Sequence, residues 1–343
     1  MKREKTARIR TRLALVAVAT LLAPTLAFGA QPDIKRVPVL TTKFGAGTFE
    51  QIVAFERLVA ERHPWLRLVA QESPGYVYNL NEMTSQQKRE TTTLAMSSTG
   101  AVWAAQTGQE GFFPKPLPVE NMRWIMTRSA NCLWFITTDP DIKSVQDFSG
   151  RKIGMGLRSQ THPGLFATRM IEEGAGVQDA DLQYLGSAGA LNALADGRVD
   201  VAAVVANLTA DASLVLPTGA LRRFQSAKHE HHHVNFPKAM VDKVNTAIGS
   251  PFVALTIPAG SFPQQPQPIA CLADFTIMIS HAKFPDDLAY EVTKAMVEIN
   301  EATADYIGAG KLYRRDNMCV APPWQGKPHP GSLKACRNLG LAN

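Results

Sequence analysis

The chain has little that would mark it as an enzyme, a membrane protein or a nucleic-acid binder. Beyond residue 30 no apolar run approaches the ~20 residues needed to span a bilayer. Gly45-Ala46-Gly47 lacks the third glycine of a dinucleotide loop, and no lysine follows a glycine-rich loop as phosphate cradles require. Leu185-Gly186-Ser187-Ala188-Gly189 lacks the Gly-x-Ser-x-Gly spacing of a nucleophile elbow. His162 stands near Ser159, but no orienting acid is evident, so catalysis is not expected. No repeat of solenoid period is present. Net charge is scarce once placed. The chain holds 36 Lys/Arg against 30 Asp/Glu, but residues 1–30 carry six Lys/Arg and one Glu, leaving 30 basic against 29 acidic residues. That balance removes the electrostatic basis for a nucleic-acid partner.

Cysteine is also sparse. The four, Cys132, Cys271, Cys319 and Cys336, fit no zinc spacing. His229, His231, His232 and His233 surround Glu230 and read either as a metal site or as a solvated loop. Consecutive loop residues converge on one ion only with a scaffold, and no Cys or carboxylate cluster supplies one. A solvated loop is therefore expected, with no metal and no cofactor.

The N-terminus holds a positive pattern. Lys2, Arg3, Lys5, Arg8, Arg10 and Arg12 precede the apolar stretch Leu13–Leu22, then Pro24 and small residues between Ala27 and Ala30. This reads as a cleavable signal peptide over residues 1–30, without an Arg pair and without a lipid-bearing Cys. An exported, extracytoplasmic product follows. In that compartment an even cysteine count favours disulfides. Cys319 and Cys336 bracket a Pro-rich turn and are paired, Cys132 with Cys271 by default; the alternative is one pair reduced and buried.

The remainder, a little over 300 residues, exceeds the usual size of a single core, so two lobes are expected. Strand–loop–helix units recur along it: Val37–Thr42 then a helix over Phe49–Arg62, Leu66–Ala70 then Val77–Met83, and Thr91–Met96 then Ala101–Gln106. Ile52, Val53, Phe55 and Val59 are read as the core side of the first helix. Further on, Lys152–Gly156 leads through Leu157–Thr161 to a helix ending at Gly174. Leu182–Gly186 feeds a helix capped by Ser187 and stopped at Asp196-Gly197, and Val199–Val205 follows. Met122–Thr127 and Cys132–Thr137 read as strands leaving the first lobe, Asp274–Ser280 as the strand returning, and Asp287–Tyr306 as one long amphipathic helix. Pro263, Pro266 and Pro268 mark the return, giving residues 31–135 and 263–343 to one lobe and 136–262 to the other. Such units imply α/β architecture with parallel sheets, and ligands then lie beyond the carboxyl ends of the strands. That puts Arg158, Ser159, Gln160 and Thr161 at a mouth, ahead of a helix start that favours an anion. Arg158 pairs a substrate carboxylate or is a solvated rim residue; Thr161 caps the helix, binds ligand, or both. Phe49 and Tyr76 line a pocket or belong to the core, and Trp103 packs.

In order along the chain, Gly47-Thr48-Phe49, the run from Ile142 to Ile153 (IKSVQDFSGRKI), Ser159-Gln160-Thr161, Ala195-Asp196-Gly197-Arg198-Val199-Asp200, Ile257-Pro258-Ala259-Gly260-Ser261-Phe262 and His329-Pro330-Gly331 resemble motifs of the TAXI class of solute-binding proteins, the extracytoplasmic receptors of TRAP transporters. Pro74-Gly75-Tyr76-Val77-Tyr78-Asn79 stands where that family often has Gly-Gly-Ser-Val-x-Asn. The resemblance implies a two-lobed periplasmic binding protein of type II-like architecture. A small organic acid such as glutamate would be closed in the cleft between the lobes and delivered to TRAP membrane subunits by a monomeric receptor. The contacts it implies are Gly47, Thr48, Phe49, Tyr76, Asn79, Ser98 and Thr99 from one lobe, and Arg158, Ser159, Gln160, Thr161 and Asn207 from the other. The competing readings are a periplasmic sensor feeding a signalling protein and a metal-dependent hydrolase using the His run.

Overall fold

The computed structural model describes residues 34–341 apart from 45–46, 110, 159 and 323–325; the signal-peptide reading of residues 1–30 and the candidate Ser159 lie outside these. The first three strands, β1 (Lys35–Leu40), β2 (Leu66–Gln71) and β3 (Leu94–Ser98), alternate with α1 (Gly47–Arg62), α2 (Tyr76–Ser85) and α3 (Thr99–Thr107). β1 pairs in parallel with both β2 and β3. Then comes β4 (Met122–Thr137), a 16-residue strand in place of the two short strands expected. The polar quartet Arg128-Ser129-Ala130-Asn131 reads as a break. In the fold β4 continues through it, because Ser129–Asn131 pair with a neighbouring strand and Asn131 donates to Thr276 Oγ1 at 2.8 Å.

A second parallel set follows, β5 (Lys152–Met155), β6 (Asp181–Tyr184) and β7 (Val201–Leu208), with β5 between the other two. Its helices are α4, over 161–175, and α5 (Ser187–Ala195). After β8 (Val215–Pro217), α6 (Gly219–Ser226), β9 (His232–Val234), α7 (Lys238–Ile248) and β10 (Val253–Ile257), the chain returns through β11 (Ile269–His281). β11 runs antiparallel to both β3 and β4, and β4 antiparallel to β7. The main sheet order is therefore β2-β1-β3-β11-β4-β7-β5-β6: two parallel triplets joined by two long antiparallel strands. Nearly every position of β4 and β11 is buried, as strands covered on both faces require.

Apolar faces of the helices seal the sheet. Ile52, Phe55 and Val59 of α1 pack with Val37, Leu68 and, from α8 (Asp286–Glu298), Val292 and Met296. Val53, read as core, is 41% exposed. Trp103 of α3 and Phe166 of α4 share a second cluster; Gly100 is small because a Cβ there would run into the Phe166 ring. Truncating a fully buried aromatic such as Phe166 costs about 3–5 kcal/mol. The expected helix over 287–306 is two, α8 and α9 (Asn300–Tyr306), separated at Ile299 where the Asn300 side chain bonds the Tyr313 carbonyl. Gly174 is not the left-handed cap: Gly176 is (φ 77°), and Gly174 lets α4 lie against Met240. Ser187 opens α5 without capping it; Gly186 (φ 78°) holds the cap position. No helix among the described residues is long and apolar enough to cross a membrane.

Both expected cysteine pairings form. Cys132–Cys271 joins β4 to β11, with Cα atoms 5.5 Å apart. Cys319–Cys336 ties α11 (Pro330–Asn338) to the segment after the one-turn helix α10 (Arg315–Met318). The His run is only partly a loop: 229–231 are loop, whereas His232 and His233 enter β9 against β4, and His233 accepts at Nδ1 from the Trp134 indole N–H at 3.0 Å. That bond puts the proton of a neutral imidazole on Nε2, which then has no lone pair for a metal. Burial, then His231 and His232, pulls the His233 pKa down to about 4.

Candidate functional site

The two parallel triplets end at one cavity of about 350 Å³. On one side the carboxyl end of β1 delivers Thr42 and Lys43, α1 delivers Thr48, and the end of β2 delivers Pro74, Gly75, Tyr76 and Val77. On the other the end of β5 delivers Leu157 and Gln160, the first turn of α4 delivers Thr161, His162 and Pro163, and the end of β6 delivers Ser187. Val205 of β7 and Thr218, the cap of α6, complete the wall. This is where ligands sit in open α/β sheets, beyond the carboxyl ends of the strands.

Among the described residues three helices start at this wall without a side-chain cap: α2 after Gly75, α4 after Gln160 and α5 after Gly186. Their first-turn N–H groups keep their positive partial charge, the equivalent of about half a unit per helix. The Gln160 side chain turns back instead, its Oε1 accepting from the Leu157 N–H at 2.8 Å. The start of α4 is distorted as well. Pro163 has no N–H, and the Leu165 N–H reaches the Gln160 carbonyl at 3.3 Å, five residues back, so the turn is of π type.

A buried acid stands behind the floor. Asp274 of β11 is fully buried; its Oδ1 accepts from the Gly100 N–H at 2.8 Å and from the Thr99 hydroxyl. Its Oδ2 lies 3.2 Å from His162 Nε2, an electrostatic contact not aligned as a hydrogen bond. Burial pushes the Asp274 pKa up, but His162, Ser98 and Thr99 together outweigh it and hold the group below the usual carboxylate range. Across the floor the Tyr76 hydroxyl bonds Thr48 Oγ1 at 3.2 Å, and burial raises its pKa, so the phenol stays neutral. The wall thus carries the exposed Lys43 and the imidazole His162, and no Asp or Glu among the described residues.

Of the residues expected from sequence, Thr48, Tyr76, Gln160 and Thr161 meet at this cavity. The other described candidates do not line it. Gly47 begins α1, and Phe49 lies edge-on to the exposed Phe44 with ring centroids 5.5 Å apart. Asn79 is buried, its amide donating to the Thr41 and Met96 carbonyls at 2.8 Å each, so it ties β1 to β3. Ser98 caps α3 through the Ala101 N–H, and Thr99 holds Asp274. Asn207 lies opposite Asn131 in the β4–β7 pairing, two residues beyond Val205. Arg158 is turned away: its guanidinium stacks 3.9 Å from the Tyr184 ring centroid, beside a separate hollow. Lys43, Val205 and the acid behind His162 were missed. A carboxylate inside the mostly apolar run of β11 was the sign of Asp274 that the sequence offered.

A family model matches residues 52–338. The chain belongs to the NMT1-like family. Among solved structures it is similar to MatC from Rhodopseudomonas palustris with bound malate, at 10% identity and a TM-score of 0.50 over 89% of this chain and 97% of that one. An R. palustris protein solved with adipate is similar at 13% identity and a TM-score of 0.50, over 89% and 94% of the two chains. The periplasmic binding protein BugD is similar at 11% identity and a TM-score of 0.49, over 89% and 94%. At these identities the likeness is one of fold: this NMT1-like chain has the mixed α/β fold with the parallel-rich sheet already described.

Proposed function

We propose that this NMT1-like protein is an extracytoplasmic receptor that captures a small organic anion, an amino acid or a carboxylate, and hands it to a TRAP-type membrane permease. The observation that carries the reading is one cavity at which three uncapped helix starts, Lys43 and His162 converge with no acid on the wall among the described residues. Backbone N–H groups and positive helix ends are a ready anion site, and pockets of a few hundred Å³ suit small molecules. The malate and adipate carried by the two R. palustris proteins accord with that chemistry. The six motifs shared with TAXI receptors support delivery to TRAP subunits.

In this reading residues 31–135 with 263–343 form one lobe and 136–262 the other. β4 and β11 are the strands about which they close, since a ligand touching both walls favours the closed state. The monomeric receptor contacts its ligand through Thr48, Tyr76, Gln160 and Thr161 together with Lys43 and His162. Thermal-shift screening of the exported protein with carboxylates, then calorimetry on the best anion, tests this. The Lys43→Met variant is expected to bind it about tenfold more weakly, ~1.4 kcal/mol. An unchanged affinity in that variant, or no anion that raises the melting temperature, contradicts the reading.

A further inference from the structure

We infer that the cavity selects organic acids that carry no amino group. The inference rests on the anion-receptor reading and narrows its ligand class. An ammonium group is a strongly hydrated cation that needs several acceptors, and an acid among them, when it is taken out of water. The wall offers hydroxyl acceptors, among them Thr42, Thr161 and Ser187, but no acid among the described residues. Lys43 and His162 line it as well. Two carboxylates stand near without lining it: Glu72, whose carboxylate accepts from the Phe44 N–H at 3.0 Å, and Asp274, fully buried behind His162 with Oδ1 engaged by Thr99 and Gly100 and Oδ2 facing the imidazole. The Gln160 amide oxygen is engaged by the Leu157 N–H, and the Tyr76 and Thr48 hydroxyls bond each other.

The three uncapped helix starts add donors and positive partial charge, which favour the acid group and repel a cation. Between these polar points the wall is apolar, with Val77, Leu157 and Val205 supplying a surface for a hydrocarbon body. An α-amino acid would therefore bring in the same carboxylate and carbon skeleton with an added charge that meets the Lys43 ammonium and, among the described residues, no carboxylate on the wall. A desamino acid satisfies the same groups without that penalty.

Calorimetric titration with matched pairs tests this: succinate against aspartate, glutarate against glutamate, 4-methylpentanoate against leucine, and 3-phenylpropionate against phenylalanine. In every pair that binds, the acid without the amino group is expected to bind at least tenfold more tightly. An amino acid that equals or exceeds its partner overturns the inference and leaves the receptor reading standing. Failure of both members of every pair overturns the receptor reading, and the inference with it. Lys43→Glu, a change at an exposed position, supplies the missing acid. It is expected to shift the ratio within the best pair towards the amino acid by tenfold or more; an unchanged ratio also overturns the inference.

Discussion

Removing the His162 imidazole strands a buried charge. Asp274 is fully buried and held ionised by His162 on one oxygen and by Thr99 and Gly100 on the other. Breaking a buried pair by deleting one partner costs about 3–5 kcal/mol when the remaining charge is uncompensated. Two donors stay on Oδ1, so His162→Leu is expected to destabilise the unliganded protein by about 2–3 kcal/mol, with a fall in melting temperature of roughly 3–5 °C for a chain of this length. Asp274→Asn keeps an acceptor for Thr99 and Gly100 and removes the charge. The double variant is therefore expected to recover at least about 1.5 kcal/mol relative to the sum of the singles. The pH dependence has a fixed sign. The native Asp274 pKa is depressed, so its contribution is present above the unfolded value near 3.9 and is lost as pH falls through the lower native value. Without His162, burial prevails and the native carboxyl titrates higher. The deficit of the variant is then greatest at neutral pH and shrinks in acid. Urea denaturation of the four proteins at pH 7.5 and 4 measures this. Strictly additive single effects, or a His162→Leu loss below about 0.5 kcal/mol, would refute the assignment of Asp274 as a charge balanced by His162.

Asn79→Ala leaves the Thr41 and Met96 carbonyls without their donor and is expected to cost about 2 kcal/mol in denaturant unfolding, with affinity for the best anion changed less than about threefold. Arg158→Ala should leave that affinity within about twofold by calorimetry, because the guanidinium lies on Tyr184 outside the cavity. His233, with its pKa drawn down to about 4, stays neutral in the fold while the unfolded chain takes up the proton below about 6.5. Stability is therefore undiminished above pH 6.5 and falls by about 2–3 kcal/mol towards pH 4.5; in matched urea melts His233→Gln is expected to lack that part of the decline.

Local chemistry explains what could be read without coordinates. The strand–loop–helix units were legible because apolar runs of strand length alternate with helical periodicity and Gly or Pro punctuation, and β1, β2 and β5 lie within about two residues of their expected bounds. The polar stretch Arg128–Asn131 misled, since its partners Thr276, Phe55 and Tyr313 are distant in sequence and only the fold brings them together. Gln160 and Thr161 could be placed because the end of β5 fixes their loop, whereas Thr48 and Tyr76, at the starts of α1 and α2, were pointed to by the family resemblance. Arg158 could not be placed, because a long side chain on a loop can turn to either side and Tyr184 offers its ring on the outer one. Asn79, Ser98 and Thr99 have the polarity of ligand contacts, yet each is consumed by a carbonyl, a helix end or Asp274.

The most direct measurement is a structure of the protein with the tightest-binding anion from the carboxylate screen. The acid group should lie within hydrogen-bond distance of the Thr161 or His162 side of the wall, with Lys43 facing the same ligand from the other side and Tyr76 against its carbon body. An anion seated beside Arg158 and Tyr184, or anywhere outside the cavity where β1, β2, β5 and β6 end, would contradict that site.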